Sequence, residues 1–280
     1  DLGDRTGVLR YQQHREQPSE EALGPCAACG GAGQQPGSEK PWQREAKFRT
    51  FLNLATAVPV DSSRKVLDTL IGFYAEDSVA FRQLQDFLTP PLSDPNSPLR
   101  NDELYIPLLE AVIASPFYDT TEKIRPAYRL AMARKNRVGQ PAADFAYTLA
   151  DGRSGRLYEV AAPRTLVYIN NPDCHACEEI LADLKASPVI SQALTNGLLR
   201  IVAIYPDKDL TAWRKHLKET PGQADGWING YDATLAMRRE ELYDLRAIPS
   251  LYLLDEEKRV LLKDCTSVGW IEAYLMQGMR

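Results

Sequence analysis

The stretch Thr165–Ile180 constrains this chain more than any other. It reads Thr-Leu-Val-Tyr-Ile-Asn-Asn-Pro-Asp-Cys-His-Ala-Cys-Glu-Glu-Ile, a short apolar run, a turn, and a Cys-x-x-Cys at the start of a helix. Residues i and i+3 of a first helical turn stand roughly 5–6 Å apart, within the separation a disulfide spans without much strain. Cys174 and Cys177 can therefore open and close a bond with little backbone movement. Cys174 falls where unpaired N–H groups and the positive end of the helix dipole favour thiolate over thiol, and the thiolate is the attacking species in disulfide exchange. Cys177, one turn further in, is expected to be more buried and to act as the resolving thiol. His175, when protonated, would favour the Cys174 thiolate, and Asp173 would oppose it.

The 280 residues, 44% of them hydrophobic, can bury a sizeable core and are enough for two ordinary domains. With 33 basic against 38 acidic residues, a net charge of −5, and no basic stripe or aromatic ladder, nucleic acid is not an expected partner. Apolar runs are interrupted within about ten residues, as Leu198-Leu199 is by Arg200, well short of the roughly 20 a membrane span needs. No transmembrane segment and a soluble chain are therefore expected. Because it opens on Asp1 rather than Met, the chain reads as a mature form or a fragment and is uninformative about a signal peptide. Five cysteines, in two Cys-x-x-Cys pairs plus Cys265, are too few for a disulfide scaffold and suit redox or metal chemistry.

Residues 1–41, rich in Gly, Pro, Gln, Ser and charge, read as mostly disordered. Within them Cys26-Ala-Ala-Cys29-Gly-Gly-Ala-Gly33 is similar to one copy of the zinc-binding unit of DnaJ-type modules, supplying two ligands where zinc takes four. The expectation is a tail with two incidental thiols, with a shared metal site or an accessory redox pair as the alternatives. Residues 42–136 read as a helical domain of unknown role. Phe48, Phe51, Leu52 and Ala55 fall on one helical face, as do Leu67, Leu70, Ile71 and Tyr74, and Ala80, Leu84, Phe87 and Leu88 extend the pattern. The stretch Thr89–Pro98 is expected to break the chain, and Pro107 and Pro126 to mark first turns of later helices. Beyond the linker Arg137–Pro141 the period becomes two. Phe145, Tyr147 and Leu149 lead through Asp151-Gly152 into a hairpin. Strands are then expected at 165–170, 199–205, 250–254 and 259–262, and helices at 174–186, 210–219, 234–245 and 267–277. This order implies a mixed sheet covered on both faces.

With Cys-x-x-Cys opening the first helix and an isolated proline opening a core strand in Ala-Ile-Pro249-Ser-Leu-Tyr-Leu-Leu-Asp, residues 140–280 resemble the thioredoxin-like fold, an α/β fold here preceded by a small all-α domain. By that resemblance Pro249 is cis and lies against the cysteine pair, consistent with cis bonds being almost confined to X-Pro. Ile248 then offers backbone hydrogen bonds to an incoming peptide. The segment Asn-Pro-Asp-Cys-His-Ala-Cys, the hairpin at Asp255–Arg259 and the preceding β-hairpin resemble TlpA-like envelope thiol-disulfide oxidoreductases. The helical part is similar to an uncharacterised domain that precedes such modules in Bacteroidetes envelope proteins. The resemblance implies a periplasmic or cell-envelope location. Departures from thioredoxin itself are Asp173 before the pair, His175-Ala176 within it, and Tyr168 where thioredoxin carries a buried acid. Glu178 and Glu179 are alternative proton acceptors, or solvated helix residues.

The competing readings of Cys174 and Cys177 are half a zinc site, a structural disulfide, or chance. His14, His175 and His216 provide no second pair at metal spacing. Cys265 reads as a lone buried thiol near the last helix, with a third redox thiol as the alternative. A peroxidase is a further alternative, but the Pro-x-x-x-Thr/Ser-x-x-Cys pattern of peroxiredoxins is replaced by Val167 and Asn171 before Cys174. A second alternative is a non-enzymatic envelope binding protein whose helical domain recognises a partner and whose cysteines are regulatory. The expected function is a thiol-disulfide oxidoreductase, a reductase by analogy with the family. It would need no cofactor beyond a Cys174–Cys177 disulfide, and its partners would be disulfide-containing proteins and an upstream thiol donor.

Overall fold

The computed structural model describes residues 41–278, residues 57 and 59 excepted. The expectations for residues 1–40, Cys26 and Cys29 among them, lie outside these. Five helices come first: α1 Pro41–Thr56, α2 Val60–Tyr74, α3 Ser78–Ser93, α4 Asp102–Ala114 and α5 Thr120–Ala133. The stripes seen in the sequence face one another. Leu52 of α1, Leu67 and Ile71 of α2, and Phe81, Leu84, Leu88 and Leu92 of α3 converge on α4. Leu104, Tyr105, Ile106, Leu108, Leu109 and Val112 make α4 apolar around most of its circumference, as a central helix must be.

Three starts are set by side-chain caps. Asp77 accepts from the Ala80 N–H at 2.7 Å, Asn101 from Leu104 at 3.2 Å and Asp119 from Glu122 at 2.8 Å. Glu122 accepts in return from the Asp119 N–H at 2.9 Å, closing a capping box. These caps correct the proline readings. Pro107 and Pro126 lie beyond the first turns of α4 and α5, which begin at Asp102 and Thr120. Nor does the proline-rich stretch end the third helix at Thr89: α3 runs through Pro90 and Pro91 to Ser93. Leu92 continues the buried stripe of Leu84 and Leu88, and burial there outweighs the lost N–H donors of a final turn.

The second part is a seven-stranded mixed sheet in the order β2-β1-β5-β4-β3-β6-β7. Its strands are β1 Ala146–Thr148, β2 Ser154–Arg156, β3 Arg164–Ile169, β4 Leu199–Tyr205, β5 Trp227–Tyr231, β6 Ser250–Leu254 and β7 Val260–Cys265. Strands β3, β4 and β5 are parallel, whereas β6 runs antiparallel to β3 and to β7, and β1 to β5. Helices α6 His175–Ala186, α7 Pro188–Thr195, α8 Leu210–His216, α9 Ala236–Arg239 and α10 Val268–Gly278 complete it. Alternation divides β3 between two cores. Leu166 and Tyr168 pack with Ile180, Leu184, Ile190 and Ile271 of α6, α7 and α10, and Val167 and Ile169 pack with Phe145, Met237 and Tyr243 on the other face.

Strand β5 and helix α7 were not expected, and the helix expected over 234–245 is the single turn α9. Leu235 and Glu241, at φ 57° and 52°, are in the left-handed region on either side of that turn. Beyond it the carbonyls of Glu240 and Glu241 accept from Lys135 Nζ at 3.2 and 2.5 Å, and that of Leu242 from Asn136 Nδ2 at 2.8 Å. Helix α8 likewise ends at His216, short of the expected Glu219.

Candidate active site

The turn after β3 aims the cysteines. The Asn171 side chain accepts from the Asp173 N–H at 3.2 Å and the Asn171 carbonyl from the Cys174 N–H at 3.2 Å, a compact Asx turn around Pro172. Cys174 is the N-cap of α6, in extended conformation, and its carbonyl accepts from the N–H groups of Cys177 and Glu178 at 2.9 and 3.1 Å. The two thiols differ in environment. Cys174 is half-buried, whereas Cys177 is fully enclosed. Both are free thiols.

Cys174 Sγ donates to the carbonyl of Ile248 at 3.5 Å, and the Ile248–Pro249 bond is cis. Cys177 Sγ accepts from the Asn171 N–H at 3.4 Å. Burial, reinforced by the adjacent Cys174 thiol, pushes the Cys177 thiol well above its usual range, so the inner sulfur is held as a thiol at neutral pH. Cys174, Cys177, Ile248 and Pro249 thus share one site, although 70 residues of chain, 178–247, separate the last pair from the first.

Tyr168 lies beneath them, buried, and its hydroxyl donates to the Cys177 carbonyl at 2.7 Å. Burial raises the phenol further above its usual range, so the group under the dithiol is a neutral donor. His175 turns outward. Its side chain is 84% exposed, with Nδ1 3.7 Å from Glu178 and Nε2 3.4 Å from Glu179. Asp173 is exposed beside it. These solvated pairs carry little energy.

One neighbour gave no sequence signal. His216 is buried at the end of α8, its Nε2 without a hydrogen bond among the described residues. Burial lowers its pKa, against the charges of Glu219, Glu178 and Asp173. Nothing local distinguishes it from a surface histidine, because its burial depends on what the fold brings against the end of α8. Cys265 is at the end of β7, shortly before α10, half-buried and paired with Leu251 across the sheet. Burial and the Asp264 charge push its thiol up to about 12. Among the described residues no group of three or more His, Cys, Asp or Glu could hold a metal ion, and no helix is long and apolar enough to cross a membrane.

A dithiol at the head of a sheet-covering helix, set against a cis-proline at the start of an antiparallel strand, is how thioredoxin-like folds present sulfur to a substrate, and this molecule is of that class. Residues 38–136, which include the first five helices, match the model of a domain of unknown function (DUF5106). The chain belongs to the thioredoxin-like proteins. It is 44% identical to a thioredoxin-like protein from Bacteroides caccae, with a TM-score of 0.81 over 86% of this chain and 85% of that one. It is also 49% identical to the C-terminal domain of an uncharacterized protein from Bacteroides fragilis, over 50% of this chain and 98% of that one, with a TM-score of 0.48. A conserved protein of unknown function from the same organism is 36% identical over the same shares, with a TM-score of 0.47. No curated protein matches the sequence.

Proposed function

We propose that the protein is a thiol-disulfide oxidoreductase that reduces disulfides of exported proteins in the cell envelope. The observation that carries this reading is the asymmetry of the two thiols. The accessible Cys174 Sγ stands 3.5 Å from the Ile248 carbonyl beside cis-Pro249, and Cys177 is enclosed one turn behind. In the proposed cycle the Cys174 thiolate attacks one sulfur of a substrate disulfide, forming a mixed disulfide and expelling the other substrate sulfur as a thiolate. Backbone groups of Ile248 hold the substrate chain, and Pro249 shapes the surface it meets. Cys177 then attacks Cys174 Sγ, its proton passing to the departing substrate sulfur, which leaves as the second thiol as the Cys174–Cys177 disulfide closes. Two electrons have passed to the substrate, and an upstream thiol donor restores the dithiol. His175 and Asp173 flank Cys174 on the solvent side. The envelope location and the direction of electron flow rest on the resemblance of the motif segment to TlpA-like proteins.

The test is the reduction potential of the Cys174–Cys177 pair, from equilibration with glutathione or dithiothreitol and thiol trapping. A value near or below roughly −250 mV supports a reductase, and one near roughly −120 mV an oxidant. Cys174→Ser should abolish reduction of a peptide disulfide, and Cys177→Ser should accumulate the mixed disulfide. A pair that never forms a disulfide would sink this reading in favour of a binding protein with regulatory cysteines.

A further inference from the structure

Arg100, in the helical part, reaches both sides of the Ile248–Pro249 pair. It stands in the connection from α3 to α4, which is pinned by bonds from the Arg100 N–H to the Ser97 carbonyl at 3.1 Å and from the Asn101 N–H to the Leu92 carbonyl at 3.2 Å. From there its Nη2 lies 2.6 Å from the Asp264 carboxylate and 3.2 Å from that of Asp244. The three side chains are only 12%, 7% and 9% exposed, so this is an enclosed ion cluster rather than a surface pair.

Each carboxylate leads to the cis-proline. Asp264 accepts at its other oxygen from Ser250 Oγ at 2.6 Å, and Ser250 directly follows Pro249. A bulge in β7 makes this reach possible. Leu251 pairs with Cys265 but Leu253 with Leu262, so β7 carries one extra residue there, and Asp264 adopts φ 51°. Asp244 lies shortly before Ile248, and its carboxylate also accepts from Arg246 Nη2 at 2.6 Å and from the Arg246 N–H at 3.1 Å. The segment ahead of it is held from the same side, by Lys135 at the Glu240 and Glu241 carbonyls and by Asn136 at that of Leu242. Lys263, beside Asp264, is tied to Asp102 at 2.7 Å and to the carbonyls of Ala133 and Lys135 at 3.0 and 2.7 Å. The approach to the proline is thus bonded to the helical part along its length, and its exit is bonded through Asp264.

We infer that the helical part of this chain serves to position the peptide-binding Ile248–Pro249 segment, with Arg100 as the positioning residue that joins its two flanks. This inference rests on the proposed function. Arg100 touches no substrate. A segment held from both flanks presents the Ile248 carbonyl and N–H at a fixed separation from Cys174, which matters to a peptide that pairs along it and little to a disulfide too small to do so.

The experiment uses the full chain with two substrates, insulin as a peptide disulfide and bis(2-hydroxyethyl) disulfide as a small one, under turnover with dithiothreitol. In Arg100→Met the KM for insulin should rise about tenfold with kcat within about twofold, and the ratio of kcat/KM for insulin to that for the small disulfide should fall about tenfold. The single change leaves the enclosed Asp264 carboxylate without its cation, while Asp244 keeps Arg246, and it could unfold the protein. The double variant Arg100→Met/Asp264→Asn removes that ion pair together and leaves Asp244 with Arg246, a replacement that buried ion pairs commonly tolerate, and it should show the same shift in substrate ratio. Equal losses on both substrates, or an unchanged insulin KM in either folded variant, would overturn the inference and reduce Arg100 to a structural tie. Wild-type protein with no Cys174-dependent turnover of either disulfide would overturn the proposed function as well.

Discussion

The phenol of Tyr168 donates a 2.7 Å hydrogen bond to the carbonyl of Cys177, joining the strand under the motif to the first turn of α6. The bond is buried, and the group under the dithiol is a neutral donor. Tyr168→Phe deletes only the hydroxyl. It should lower the unfolding free energy by about 1 kcal/mol, read as a shift in the urea midpoint at constant slope. An unchanged midpoint would mean that the bond contributes nothing net.

His216 should make the protein sensitive to mild acid. Burial lowers its pKa in the folded state, while the unfolded chain has the ordinary value near 6.5. Between the two values the unfolded state binds the extra proton. The stabilisation is therefore complete above about pH 6.5 and is lost as pH falls through the folded value. The urea midpoint should fall between pH 7.5 and pH 5.5, and more steeply in the wild type than in His216→Gln. Parallel curves would rule out this histidine as the source.

Cys265 should be inert. With its thiol pushed up to about 12, only about one molecule in ten thousand is a thiolate at pH 8. Iodoacetamide should label it in the unfolded chain and leave it intact in the folded one, and Cys265→Ser should leave the potential of the Cys174–Cys177 pair unchanged. Rapid stoichiometric labelling in the folded protein would refute this.

Two glycines should respond in opposite directions. A Cβ on Gly230 would meet Tyr147 Cβ at 3.0 Å and its ring at 3.1 Å, so Gly230→Ala should destabilise the protein by about 1–3 kcal/mol. A Cβ on Gly72, inside α2, meets nothing within 4 Å, and Gly72→Ala should stabilise by about 0.5–1 kcal/mol. Thermal denaturation of both variants under one condition tests the pair, and the same sign for both would contradict the packing described.

Gly230 also shows why part of the sheet was illegible. β5 reads Trp-Ile-Asn-Gly-Tyr, without alternation or β-branched enrichment, because its glycine is where Tyr147 from β1 lies across it. The 234–245 stretch misled in the opposite way. It has helical residues, but its carbonyls bond to Lys135 and Asn136, about a hundred residues away in sequence.

What the sequence determined by itself was whatever depends on chain neighbours. The Cys174–Cys177 spacing, the apolar run that lets β3 be buried on both faces, the stripes of α2 and α3, and the identity of Pro249 as an X-Pro site are all local, set by the geometry of a few turns or a few strand residues. Tertiary structure alone decided which groups surround the dithiol. Tyr168 as a donor, His216 as an enclosed neighbour and Arg100 as a link to both flanks of the cis-proline arise from contacts between distant segments. Such contacts leave no periodic trace, because a side chain's burial and partners depend on what folds against it rather than on the residues beside it.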